Sequence, residues 1–190
     1  MENFKAYIHS LTEFSDESWE LLQPALSEQV FKKNEFLLKE GTVCNALFYI
    51  EKGYCRSFYE MEGEEKNIAF FFENEIATNI ESFGSGEKSA YNIIACEPLS
   101  VVCLDKKKLY LASQLAPEIE TLGRKCIRRF ATKQESFSTL LKVYAAKNRL
   151  RYLETNYPEM LQRVPLTQLA SFLGVARETL SRIRRKNTEG

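Results

Sequence analysis

The sequence lacks any apolar run of about 18 residues, the least that would suggest a helix crossing a membrane, so no span is expected. Its first residues, Met1-Glu2-Asn3-Phe4-Lys5, supply no basic region ahead of an apolar core, so no secretory signal is expected either. One histidine, His9, leaves His-rich metal sites and Ser/His/Asp or Cys/His catalysis short of parts. The five cysteines (Cys44, Cys55, Cys96, Cys103 and Cys126) are odd in number and scattered, with no Cys-x-x-Cys pair. That pattern argues against a disulfide framework, a zinc site and an iron–sulfur cluster. No nucleophile–base pair and no phosphate-cradling glycine loop ahead of a helix is visible, and the Gly84–Gly86 loop is too weak to count as one. A cytoplasmic protein without a metal, and not an enzyme, is the expectation.

Disorder is excluded as well, since only 5 of the 190 residues are proline and 44% are hydrophobic. The length allows one medium domain and a small one. Charge sums to zero but is divided unevenly. Residues 142–190 hold ten Lys or Arg and four acids, net +6, and residues 1–141 carry the balancing −6. A basic C-terminal part of this kind hints at nucleic-acid contact.

Within that part, 165–186 reads as two short helices joined at Gly174. Pro165 suits a first helical position. Leu166, Leu169, Ala170 and Leu173 recur at i, i+3, i+4 and i+7 as one apolar stripe. Gly174 can take the left-handed conformation that ends a helix, and Val175 can fill the angle between the two. Ala176, Leu180 and Ile183 make the expected buried stripe of the second helix, leaving Arg177, Glu178, Ser181, Arg182 and Arg185 outward. This is the layout of a helix-turn-helix whose second helix enters a DNA major groove. A guanidinium can donate twice to guanine O6 and N7, and a carboxylate can accept from cytosine N4. Arg177, Glu178 and Arg182 are therefore the candidate base readers. Thr167, Thr179, Ser181, Arg184, Arg185 and Lys186 are the candidate phosphate contacts. The competing reading is a solvated basic helix with an i,i+4 Glu178–Arg182 pair, worth about 0.2–0.5 kcal/mol.

Earlier in the chain, residues 2–29 read as helical, with Ser15 as the cap of a second helix carrying Trp19, Leu22 and Leu26. From Val30 to Leu104, short apolar runs alternate with Gly41, Gly53, Gly63, Gly84, Gly86 and Pro98, predicting an antiparallel sandwich or barrel. Lys106–Leu111 reads as a short helix, and a long one follows from Pro117 to about Gln134 or beyond. On it Ile119, Leu122, Cys126, Phe130 and Phe137 lie on nearly one seam. A two-fold related copy would cover that seam, or the helix packs on its own barrel. Ala145–Asn156 reads as a further helix, ended by Pro158.

This order of elements resembles the Crp/Fnr superfamily of transcription regulators, along nearly the whole chain. The residues that carry the resemblance are Leu38-Lys39-Glu40-Gly41, Phe48-Tyr49-Ile50-Glu51-Lys52-Gly53, and Leu173 through Arg182, where Arg177, Glu178 and Arg182 fill the family's Arg-Glu-x-x-x-Arg. The resemblance implies an α+β fold: an antiparallel, jelly-roll-like β-roll sensor over 1–113, a long dimerisation helix over 114–136, and a helix-turn-helix over 137–190. The last would be a winged helix in reduced form, since the chain stops eight residues after Arg182 and leaves little room for a wing before Pro165. It further implies a homodimer on double-stranded DNA, a palindromic site, and RNA polymerase as a partner. A β-roll that acts through protein partners, with a cyclic nucleotide as its ligand, is the rival reading.

The departures from the family concern the effector. Where cyclic-AMP-binding members carry Gly-Glu and, ten residues later, Arg-Ser, this chain has Ala77-Thr78 and Lys88-Ser89. Gln134-Glu135 stands where they carry a Thr-Ser step that touches adenine. Thr78, Lys88, Ser89 and Gln134 are thus the candidate effector pocket, with a cyclic nucleotide less expected than an empty pocket or another small ligand. Ala176 stands where a serine usually caps the recognition helix, a loss of about 1 kcal/mol.

Overall fold

The computed structural model describes residues 1–188, with side chains as far as Arg185. By its internal contacts the chain forms two units, Met1–Ser57 with Phe70–Phe130, and Phe58–Ala69 with the chain from Ala131 onward.

The first unit opens with α1 (Glu2–Leu11) and α2 (Asp16–Leu22). Ser15 caps α2 as its position suggests, its side chain accepting from the Ser18 amide at 3.2 Å. The helix stops sooner than the apolar spacing indicates. Pro24 brings no N–H, and Gln23–Ala25 forms a single 3-10 turn. Leu26–Phe31, read in part as helix, is instead β1. It runs antiparallel to β8 (Leu99–Asp105), with Leu26 opposite Leu104 and Phe31 opposite Leu99. Hydrogen bonds to that distant strand decide what local spacing could not.

The remaining strands are β2 (Phe36–Leu38), β3 (Ala46–Lys52), β4 (Cys55–Met61), β5 (Glu64–Phe71), β6 (Ile76–Ala77) and β7 (Asn92–Ala95). They form two four-stranded sheets of order β1-β8-β3-β6 and β2-β7-β4-β5. The antiparallel roll expected from the sequence is present, with the two-residue β6 added to it. Glu62 and Gly63, with φ of 54° and 78°, make the two-residue turn between β4 and β5. Positive φ at both central positions matches the twist of the flanking strands.

In β3, Phe48, Tyr49 and Ile50 are all buried, because both faces of the strand are covered. On one side Phe48 meets Phe31 edge-on at 6.3 Å. On the other, the Tyr49 ring lies 4.9 Å from Phe4 and 5.0 Å from Tyr7 of α1. Its hydroxyl shares its proton between the Asn3 carbonyl and the Asn74 side-chain oxygen, so this polar atom is satisfied within the core.

α3 (Ile80–Ser85) follows β6 and is capped by Asn79. α4 (Lys106–Leu115) is capped by Asp105 and runs four residues past the sequence reading. α5 (Pro117–Val143) passes from the first unit into the second.

The second unit holds the end of α5, then α6 (Ala146–Asn156), α7 (Pro158–Arg163), α8 (Leu166–Leu173) and α9 (Arg177–Thr188). Its core gathers Phe137, Leu140, Leu150, Leu153, Met160, Phe172 and Leu180. Phe137 sits 5.0 Å from Tyr157 and 5.2 Å, edge-on, from Phe172. Pro158 ends α6 as expected and also starts α7, a helix the sequence reading missed. Proline serves as a breaker behind and a ready-made first residue ahead. Pro165 lies just outside α8, as its cap, with ψ of 140°. Among the described residues no strand follows Asp105, so no wing flanks α8 and α9. No described helix is long and apolar enough to cross a membrane.

Candidate nucleic-acid interface

α8 ends because Gly174 adopts φ 65° and ψ 37°. The Gly174 amide returns to Ala170 and Ser171 carbonyls, and the Val175 amide to the Ala170 carbonyl at 3.0 Å. This satisfies acceptors that a helix end would otherwise leave bare. α9 then starts at Arg177. Leu180 is fully buried beneath it, whereas Ile183 is half-buried and Ala176 is exposed. The apolar stripe of α9 is therefore narrower than the spacing suggested, because Ala176 precedes the helix and stays exposed.

Arg177, Glu178, Ser181, Arg182 and Arg185 line one solvent-filled concavity of about 310 Å³ along α9. Positions i, i+1, i+4, i+5 and i+8 share a helix face, so the three candidate base readers stand together. Arg184 is exposed beside this face, Thr167 is exposed near the start of α8, and Thr179 is half-buried. Lys186 belongs to α9, but its side chain lies outside the described residues.

The tip of the β4–β5 hairpin, in the same unit, is bonded to α8. The Asn67 amide donates to Ser171 Oγ at 3.1 Å, and Ser171 Oγ donates to the Glu65 carbonyl at 3.0 Å. Asn67 Nδ2 reaches the Gln168 carbonyl at 3.4 Å. No sequence motif announces this clamp, since it joins residues more than 100 positions apart.

Of the candidate effector residues, Thr78, Lys88 and Ser89 belong to the first unit. Thr78 is buried, its hydroxyl donating to the Ala46 carbonyl at 3.2 Å and lying 3.3 Å from Cys44 Sγ. Ser89 is buried too, accepting from Asn79 Nδ2 at 2.8 Å and donating to the Tyr91 carbonyl. Ser82 Oγ donates to the Glu87 carbonyl and accepts from the Cys44 amide. Around α3, then, hydroxyl groups serve the chain's own backbone. Lys88 is exposed, paired by backbone with Val43, and Gln134 lies in the second unit.

The seam of α5 is divided as well. Ile119 and Leu122 are buried in the first unit's core, and Phe137 in the second's. Cys126 is half-buried against Tyr7, and burial pushes its thiol up to about 11. Phe130 stacks on Phe71 at 6.5 Å. Beside these residues an open apolar concavity of about 470 Å³ is lined by Leu47, Ile76, Phe83, Leu109, Ile127 and Phe130, among others. Ile127 is 54% exposed at its rim, and Tyr110 64%. Among the described residues no group of three or more His, Cys, Asp or Glu could hold a metal.

Residues 28–112 match the cyclic nucleotide-binding domain family. No curated protein matches the sequence. Among solved structures, FixK2 from Bradyrhizobium japonicum is similar with a TM-score of 0.70 at 20% identity, over 87% of this chain and 86% of that one. The c-di-GMP responsive global regulator CLP of Xanthomonas campestris gives 0.70 at 15% identity, over 92% of each chain. The catabolite activator protein of Thermus thermophilus gives 0.56 at 18% identity, over 94% of this chain and 86% of that one.

Proposed function

We propose that this chain, which carries a cyclic nucleotide-binding domain at residues 28–112 and has the fold of the Crp/Fnr regulators, is a dimeric, sequence-specific DNA-binding transcription regulator. The observation that carries the reading is the outer face of α9, where Arg177, Glu178 and Arg182 line one concavity behind the Gly174 turn. Seated in a major groove, the two guanidinium groups donate to guanine O6 and N7, and the Glu178 carboxylate accepts from cytosine N4. Thr167, Thr179, Ser181, Arg184, Arg185 and Lys186 serve the phosphates, which fix register without reading sequence.

A second copy of the chain covers the apolar concavity beside α5, removing Ile127 and its neighbours from water. Two copies related by a two-fold axis place two α9 helices in successive major grooves, about 34 Å apart, and so read a palindrome. RNA polymerase is the partner through which such a complex acts on transcription.

Cyclic AMP is not the effector in this reading. The hydroxyl groups of Thr78, Ser82 and Ser89 already serve the protein's own backbone, and Lys88 offers a point charge rather than a planar fork. The test is selection of sites from random duplexes at moderate salt, with and without cyclic nucleotides. A palindrome with G·C positions in each half, found equally in both arms, is expected. Equal binding to every duplex overturns the reading. A ligand-dependent association with another protein, and none with DNA, favours the β-roll as a module acting through protein partners.

A further inference from the structure

α5 ends at Val143 and α6 begins at Ala146, so the last carbonyls of α5 have no next turn of helix to accept from. α8 ends at Leu173 for a different reason, the left-handed Gly174. Both ends find their donor in one side chain. Arg149, four residues past Ala145 in the first turn of α6, sends Nη2 to the Leu141 carbonyl at 2.8 Å and Nε to the Tyr144 carbonyl at 2.7 Å. Its Nη1 reaches the Leu173 carbonyl at 2.6 Å. A cation is thereby held where two helix dipoles present their negative ends. A Cβ built on Gly174 would lie 3.7 Å from Arg149 Nη1, so the guanidinium rests against the turn that aims α9.

We infer that Arg149 is the positioning residue for the recognition helix. It ties the start of the turn before α9 to the end of α5 and so fixes the angle at which Arg177, Glu178 and Arg182 are presented. The inference rests on the DNA-binding reading above. A planar fork meets the three carbonyls with donors on three atoms in fixed directions; an ammonium group carries its donors on one rotating atom and leaves the geometry loose. The role is invisible at the level of charge, since Arg149 is one of ten basic residues after position 141.

The experiment separates aim from affinity. The half-site selected by the full-length protein is built into duplexes that differ only in the spacer between halves, and binding is compared for the natural chain, Arg149→Lys and Lys147→Ala. The natural chain prefers one spacer. Arg149→Lys keeps the base preference within each half-site but loses the preference among spacers. Lys147→Ala, which removes a charge without touching either helix end, keeps both. Arg149→Lys that retains the sharp spacer preference overturns the inference while leaving the DNA reading intact; a natural chain that selects no DNA overturns the DNA reading itself. Should Arg149→Lys fail to fold, the natural chain supplies the decision. Solvent exchange of the Arg149 Nε–H, followed by NMR, is slow if the group locks the two helix ends, and exchange as fast as in free arginine overturns the inference.

Discussion

The amide and the hydroxyl of Ser15 both donate to one oxygen of Glu118, at 2.7 and 2.8 Å. The pair links the cap of α2 to the first turn of α5, 103 residues on. The Ser15 amide, together with the Ser18 and Ser15 side chains, holds the Glu118 carboxyl below its usual range. A carboxyl lowered in the folded state adds stability above its unfolded pKa and loses it as pH falls through the folded value. Thermal unfolding of the natural chain and of Glu118→Gln, followed from pH 7 downward, should therefore converge below about pH 4, near the unfolded carboxylate value. The natural chain should be the more stable at neutral pH. A gap that stays constant across the range would show that the ionised form of Glu118 adds nothing.

The face of α9 divides into two kinds of contact that respond differently to mutation. Arg177→Ala should cost about 1–3 kcal/mol on the selected site and relax one G·C position, since a bidentate contact is lost. Arg184→Ala should weaken binding to every duplex alike and lower the salt slope by about one. Fluorescence anisotropy on matched and mismatched duplexes across a salt series reads both. Loss of affinity without loss of discrimination in Arg177→Ala would move that residue to the phosphates.

Titration with cyclic AMP should leave the unfolding temperature unchanged, because a ligand that binds only the folded state would raise it by mass action. The side chain placed for a nucleotide is occupied within the protein. Thr78→Val removes a donor from the Ala46 carbonyl, to which Cys44 Sγ also donates at 3.3 Å. The cost should sit near 1 kcal/mol, the low end for a buried acceptor that loses a partner, and be visible in a denaturant midpoint. A temperature rise with cyclic AMP in the natural chain, lost in Thr78→Val, would restore the nucleotide to the site.

The local signals in the sequence were read correctly where the cause is local. Ser15 caps α2, Gly174 turns between α8 and α9, and the glycine-punctuated runs from Val30 form the roll. The misreadings fall where distant residues decide. Leu26 fits a helical stripe, yet it pairs with Leu104 in a strand. For Ile119 and Leu122 the spacing left open a partner copy or the chain's own roll, and both lie buried in the first unit's core. Arg149 was legible only as one of ten basic residues after position 141, because the three carbonyls it serves lie at helix ends whose positions the sequence leaves open.

Two glycines with positive φ should respond unequally to a methyl group. At Gly174, φ is 65° and the nearest atom to a built Cβ, Arg149 Nη1, is 3.7 Å away. Only the left-handed backbone opposes a side chain there, at about 1–2 kcal/mol. At Gly53, φ is 91°, and the Cβ would stand 2.6 Å from the Pro98 carbonyl oxygen and 3.2 Å from Leu99 Cα. Those are backbone atoms at the start of β8, a strand paired on both sides, so neither can withdraw. The Gly53 amide is also fixed, donating to Glu73 Oε1 at 2.7 Å. Gly53→Ala therefore adds steric overlap to a dihedral penalty of about 1–3 kcal/mol, and should destabilise the roll more than Gly174→Ala destabilises the helical unit. Asparagine, which tolerates the left-handed region, should recover part of the loss at Gly174 and none at Gly53. Denaturant midpoints for the four variants test this. Equal recovery by asparagine at both positions would mean that the approach of Gly53 to Pro98 is not what requires glycine there.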